Sequence, residues 1–290
     1  MKYLTKEWYE LCQRTGLHFG MRVHKSAYVR DEALYLRLYK RKEKEFVSQR
    51  RGIYDVDPRF MLEQDGVQLV ALDKWSLDDG DEISEEDTMV YHMSSEERDR
   101  IQQLIAAYDA RLPFDEVKCK EEFSEIQEWG YKEAFHKLPD ELSSRIADMR
   151  VFALGYCTRE VLRELKQLSK EYKKRMMLVM DEYGQVQQAE NIPEHIGSQF
   201  RFHDCRVTEL TSGKQIVMRL DTQGGFTNSN KVTFDAVDEI IRQDKHILGS
   251  YWIYNELYRT DCGYEVHILF SGEGMPELII RCADIIVEQE

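Results

Sequence analysis

Near residue 200 the spacing of apolar residues changes from helical to alternating, and that switch dictates a helical part followed by a sheet-bearing part. Upstream, Val161, Leu165, Leu168, Tyr172, Met176, Val179 and Tyr183 step by three or four residues, as one face of a long helix does. Downstream, Phe202-His203-Asp204-Cys205-Arg206-Val207 and Gly263-Tyr264-Glu265-Val266-His267 alternate, and Leu278-Ile279-Ile280-Arg281-Cys282 closes the pattern. Gly224-Gly225-Phe226-Thr227-Asn228 interrupts it as a glycine turn. The reading is an α+β protein: an all-α helical domain over 1–195, then a mixed, sheet-rich module over 196–290. The polar stretch 185–198, broken by Pro193 and Gly197, marks the boundary.

Helix starts are written locally. Thr5 is placed to cap a helix carrying Trp8, Leu11 and Cys12, and a second helix is expected from about Arg30 to Arg51. Asp57-Pro58, Ser95 with Glu96 and Glu97, Asp115, and Thr158 each have the polar-then-periodic order of a helix N-terminus. Gly184 is expected to stop the longest helix. Residues 67–75 read as a short strand or loop, and the acidic stretch 78–87 as an exposed, mobile connection without the ordered spacing of a calcium loop. In the module, strands are expected near 200–210, 215–221, 231–235, 264–270 and 277–287, with a short helix around Tyr251 to Tyr258.

Composition narrows the function classes. The chain has 290 residues, of which 42% are hydrophobic and 11% aromatic, enough for packed cores rather than disorder. Acidic residues outnumber basic ones 54 to 40, for a net charge of −14. Such a chain repels phosphate backbones, so nucleic acid is not an expected partner. An acidic surface suits a protein partner with a basic surface. Apolar runs such as Met176 to Met180 fall far below the roughly 18 residues of a membrane span. The six cysteines are scattered without a Cys-x-x-Cys pair, which fits reduced thiols and a cytoplasmic protein.

Candidate sites gather in the second module. His203, Asp204 and His267, with Cys205 or Cys262 as a thiol nucleophile, come nearest to a catalytic or metal-binding set. On an alternating strand, however, His203 and Asp204 point to opposite faces, and His267 leaves the stripe of Tyr264, Val266, Ile268 and Phe270 to side with Glu265. No cofactor or metal is therefore expected. Glu133-x-x-His136 is one arm of a di-iron motif whose second arm is missing. The aromatic cluster Tyr251, Trp252, Tyr254 and Tyr258 lacks the basic groove of a base-stacking surface and suits core packing or a protein-binding face. The residues singled out for binding are His203, Asp204, Tyr251, Trp252, Tyr254 and His267.

Several stretches together resemble one family. They are the opening Met1-Lys2-Tyr3-Leu4-Thr5-Lys6-Glu7-Trp8-Tyr9-Glu10; Leu138-Pro139 with Ala147-Asp148-Met149-Arg150-Val151 and Ala153-Leu154-Gly155; and Phe202-His203-Asp204-Cys205 with Gly224-Gly225-Phe226-Thr227. The chain resembles number four thousand and eighty-five in the domain-of-unknown-function series, found mainly in Gram-positive bacteria. That resemblance implies no activity and no catalytic residues. The His203-Asp204 segment is also similar to one in small bacterial modules, some of them toxin-immunity proteins. The expectation is thus a bacterial, cytosolic, non-enzymatic protein-binding module of immunity or regulatory type. The rival expectation is a metal-dependent or hydrolase-like enzyme using His203, Asp204 and His267.

Overall fold

A computed structural model describes residues 1–70 and 88–290, so the expected acidic connection at 78–87 lies outside the described residues. In chain order the elements are α1 (Lys6–Gln13), β1 (Arg22–Val23), α2 (Glu32–Tyr54), a 3-10 helix (Pro58–Gln64), β2 (Gln68–Val70), β3 (Thr88–Val90), α3 (Ser95–Asp109) and α4 (Glu116–Lys137). Then follow α5 (Asp140–Ser143), α6 (Met149–Ala153), β4 (Tyr156–Cys157), α7 (Arg159–Ala189) and α8 (Glu194–Gly197). The strands β5 (Arg206–Leu210), β6 (Ile216–Asp221), β7 (Lys231–Gln243), β8 (Trp252–Thr260), β9 (Gly263–Phe270) and β10 (Glu277–Glu288) end the chain. The protein is α+β, helices first and a six-stranded antiparallel sheet last.

The chain forms two compact units, one of Met1–Val23 with Thr158–Glu290, the other His24–Cys157. The expected boundary at 195/196 falls inside the first unit. The reason is packing: α1 and α7 lie on the module's sheet. Trp8 meets Tyr254 edge-on at 5.1 Å, the Tyr183 hydroxyl donates to the Asn255 carbonyl (3.2 Å), and the Gln187 amide donates to that of Leu257 (2.9 Å).

The sheet of the first unit runs β5-β6-β7-β10-β9-β8, every neighbouring pair antiparallel. Its two outer strands also meet. Asp204 N–H donates to the Trp252 carbonyl, Trp252 N–H to that of Cys205 and Val207 N–H to that of Ser250, each at 2.9 Å. The sheet thus curls back on itself at this end, where the start of β5 meets the start of β8. The inside is filled by Phe202, Val232, Phe234, Trp252, Val266, Ile268 and Phe270, none with measurable exposure. At roughly 25 cal/mol per Å² of apolar area, this interior dominates the unit's stability.

The strand pattern read from sequence holds for β6, β9 and β10. Three local readings do not. Residues 251–258 form strand, not helix, because Trp252, Leu257 and their neighbours are buried between β9 and the interior. Phe202 to Cys205 is a turn rather than a strand, with Asp204 at φ +65° and the Cys205 N–H bonded to the Phe202 carbonyl (2.9 Å). Helix α7 passes through Gly184 and ends at Ala189, since its packing on β8 continues to Gln187.

In the second unit, α2, α4 and α6 enclose Leu34, Leu38, Phe123, Val151, Leu154 and Tyr156. Asp31 and Asp115 cap α2 and α4 by accepting from the N–H groups of Leu34 (3.1 Å) and Lys118 (2.9 Å).

Candidate functional site

Two assemblies in the first unit carry its polar and aromatic side chains, one at the surface and one buried. The surface assembly is a row of rings. Phe226 lies 6.4 Å from His203, His203 5.9 Å from Tyr254, and Tyr254 6.2 Å from Tyr9, centroid to centroid. Four separate pieces of chain supply it: the loop after β6, the turn before β5, strand β8 and helix α1.

Phe226 is 78% exposed although the glycine before it packs closely on the 202–205 turn. A Cβ on Gly225 would collide with Cys205 Sγ and approach the His203 carbonyl oxygen to 3.2 Å, so only glycine lets this loop lie on the 202–205 turn. Beside the row, His203 Nδ1 sits 3.0 Å from Asp204 Oδ2, both side chains about half exposed. The left-handed backbone of Asp204 brings its side chain to His203, where a strand would have sent the two apart. Tyr254 is half-buried under α1, and burial pushes its phenol up to about 12.

The buried assembly lies on the outer face of β8, β9 and β10. A bulge between Trp252 and Tyr254 shifts the phase of β8. Glu256 and Tyr258 then face away from the interior, together with Glu265 and His267 of β9. Glu256 is fully buried and accepts the N–H groups of Lys2 (2.7 Å), Tyr3 (2.8 Å) and Leu4 (2.6 Å) and the Tyr258 hydroxyl (2.9 Å). Successive backbone N–H groups converging on one oxygen pair form an anion nest, here filled by the protein's own carboxylate.

Glu265 is met by Lys2 Nζ (3.2 Å), His267 Nε2 (2.8 Å) and Arg281 (2.8 Å). Burial opposes its ionisation, but the hydrogen bonds from His267, Arg281 and Lys2 prevail and bring it down to about 2. Lys2 also stands 3.6 Å over the Tyr258 ring. His267 is 4% exposed, and burial lowers its basicity against the opposing pull of Glu265. Its Nδ1 has no hydrogen-bond partner and faces Glu256 Oε2 at 3.6 Å.

The six residues singled out from sequence therefore part company. His203, Asp204 and Tyr254 meet in the surface row. Tyr251 is 46% exposed, its N–H bonded to Ser271 Oγ (2.9 Å). Trp252 is wholly interior among Phe200, Phe202 and Phe270, its indole N–H spent on Asn255 Oδ1 (3.1 Å), so no surface role is open to it. His267 belongs to the buried network, where its hydrogen-bond, ion-pair and ring partners among the described residues are Glu256, Tyr258 and Glu265, against Asp204, Phe226 and Tyr254 for His203. Among the described residues no group of three His, Cys, Asp or Glu side chains is placed to hold a metal ion.

Sequence reasoning passed over Phe226 and Glu256. An aromatic directly after Gly-Gly in a polar loop was the available signal for the first. For the second it was the alternation Tyr254, Glu256, Tyr258, masked by reading that stretch as helix.

Among known proteins, a family profile described as a protein of unknown function, DUF4085, matches residues 113–280, more than half of the chain. No curated protein and no solved structure matches.

Proposed function

Because the chain belongs to DUF4085, a family of unknown function, its role is argued from its own residues, and we propose that it is a non-enzymatic protein-binding module of immunity or regulatory type. The observation that carries this reading is Phe226, a largely exposed ring that follows Gly225, whose backbone lies directly against the 202–205 turn. Rigid exposed aromatics supply contact area at little entropic cost and dominate binding hot spots. With His203, Tyr254 and Tyr9 it offers ring faces, and Asp204 adds a carboxylate at their side.

Ring faces beside a carboxylate suit the guanidinium or ammonium groups of a basic protein segment. The net charge of −14 favours encounter with the same kind of partner. The same reading places the protein in the bacterial cytosol, where its six free cysteines stay reduced. Among the described residues no helix is long and apolar enough to cross a membrane.

The test is a titration with an Arg-rich peptide, followed by the NMR signals of His203 and Phe226. Saturable binding that weakens about tenfold or more in Phe226→Ala, and again as salt is raised, supports the reading. A basic peptide that binds equally well to Phe226→Ala and to a His203→Ala, Asp204→Asn double variant sinks it.

A further inference from the structure

The second unit holds a cleft of about 470 Å³ between α2, α4 and α6, in the size range of small-ligand sites. Its walls are Tyr35 and Tyr39 of α2, Ser124, Gln127 and Tyr131 of α4, and Arg150 at the start of α6. Leu154, 5% exposed, also lines it. We propose that this cleft binds a small, uncharged, polyhydroxylated ligand of the monosaccharide class.

Charge comes first. Arg150 is clamped by Asp148, through Nε (3.0 Å) and Nη2 (2.8 Å), and by Glu32 through Nη1 (2.8 Å). The remaining carboxylate, Glu128, is paired with Lys132 at 2.8 Å. Arg150 is outnumbered by its two carboxylate partners, so among the residues lining the cleft a phosphate or carboxylate finds no unneutralised cation. The guanidinium of Arg150 already stands 4.4 Å over the Tyr35 ring, so a cationic ligand cannot stack on that face.

Hydrogen-bonding capacity comes second. The Tyr35, Tyr39 and Tyr131 hydroxyls, the Ser124 hydroxyl and the Gln127 amide make no hydrogen bond to protein among the described residues. Three N–H groups of Arg150 are taken by Asp148 and Glu32, which leaves two. That inventory mixes donors with acceptors, as a ring of hydroxyls requires. The faces of Tyr39 and Tyr131, with their negative quadrupole, suit the C–H face of a pyranose. Arg150 is also pre-positioned: Asp148 is 8% exposed and holds it in a bidentate grip, so little side-chain entropy is lost on binding.

Calorimetric titrations of the full chain with glucose, galactose and N-acetylglucosamine, alongside adenosine and tetramethylammonium chloride, test the assignment. At least one of the three sugars is expected to bind saturably at millimolar concentration. Gln127→Ala and Tyr131→Ala, which touch a half-buried amide and an exposed ring, are each expected to weaken that binding about tenfold with unchanged melting temperature. The assignment is overturned if none of the sugars saturates, if adenosine or tetramethylammonium binds instead, or if both variants bind sugar like the parent chain.

Discussion

At the residue scale the most consequential groups are the acids and the imidazole beneath residues 1–4. Glu256→Ala would strand three backbone N–H groups and the Tyr258 hydroxyl in a buried place. A loss of about 3–5 kcal/mol in urea unfolding is expected, with faster amide exchange at Lys2, Tyr3 and Leu4. Glu265 gives a pH signature. Its folded pKa, about 2, lies below its ordinary value of 4.5, so its contribution is full above pH 4.5 and is lost as pH falls towards 2. That contribution is on the order of 2–3 kcal/mol, and Glu265→Gln should flatten stability over this window. His267 acts higher up the scale. Because burial lowers its pKa from 6.5, the unfolded chain takes up the proton first, and stability begins to fall as pH drops below 6.5. In His267→Gln that first decline should vanish while the one below pH 4.5 stays.

At the element scale two glycine substitutions should act in opposite directions. Gly263 closes the hairpin between β8 and β9 at φ +148°, and a Cβ there would run into the backbone of Cys282 and Ala283. Gly263→Ala is expected to cost about 2–4 kcal/mol. Gly184 sits inside α7 with open space where a Cβ would go. Gly184→Ala should therefore raise stability by about 0.5–1 kcal/mol by restricting the unfolded chain. Thermal melts of the two variants decide both signs. A Gly184→Ala that destabilised would mean that α7 does end there, as the local pattern alone suggests.

At the scale of the whole molecule, the sheet-bearing unit is discontinuous in sequence, built from the first 23 residues and everything after Cys157. A fragment cut at 196 would lose Lys2, Trp8, Tyr183 and Gln187, and with them the cover over Glu256, Glu265 and His267. Uncovered, that face of the sheet turns apolar surface to water and Glu256 loses its three backbone donors, which removes much of what holds the unit together. Residues 196–290 alone are expected to show no cooperative unfolding transition by circular dichroism, whereas residues 1–23 joined by a flexible linker to 158–290 should show one. A sharp, cooperative melt of 196–290 would prove the covering elements dispensable.

The local code was legible wherever one short stretch settles its own fate. Thr5, Asp115 and Thr158 cap helices because a side-chain oxygen three residues ahead of an orphan N–H needs no distant help. Alternation in β9 put His267 on the side of Glu265 before any pairing was known, and the helix-then-sheet order followed from the change of period near residue 200. The tertiary structure alone decided the rest. Glu256 meets backbone groups more than 250 residues away, the left-handed turn at Asp204 depends on bonds to Trp252, and the ring row draws on four pieces of chain. Periodicity reports which face of an element is apolar. It carries no information on which distant segment covers the other face, because that choice is made by the burial and hydrogen bonding of partners that the local pattern does not contain.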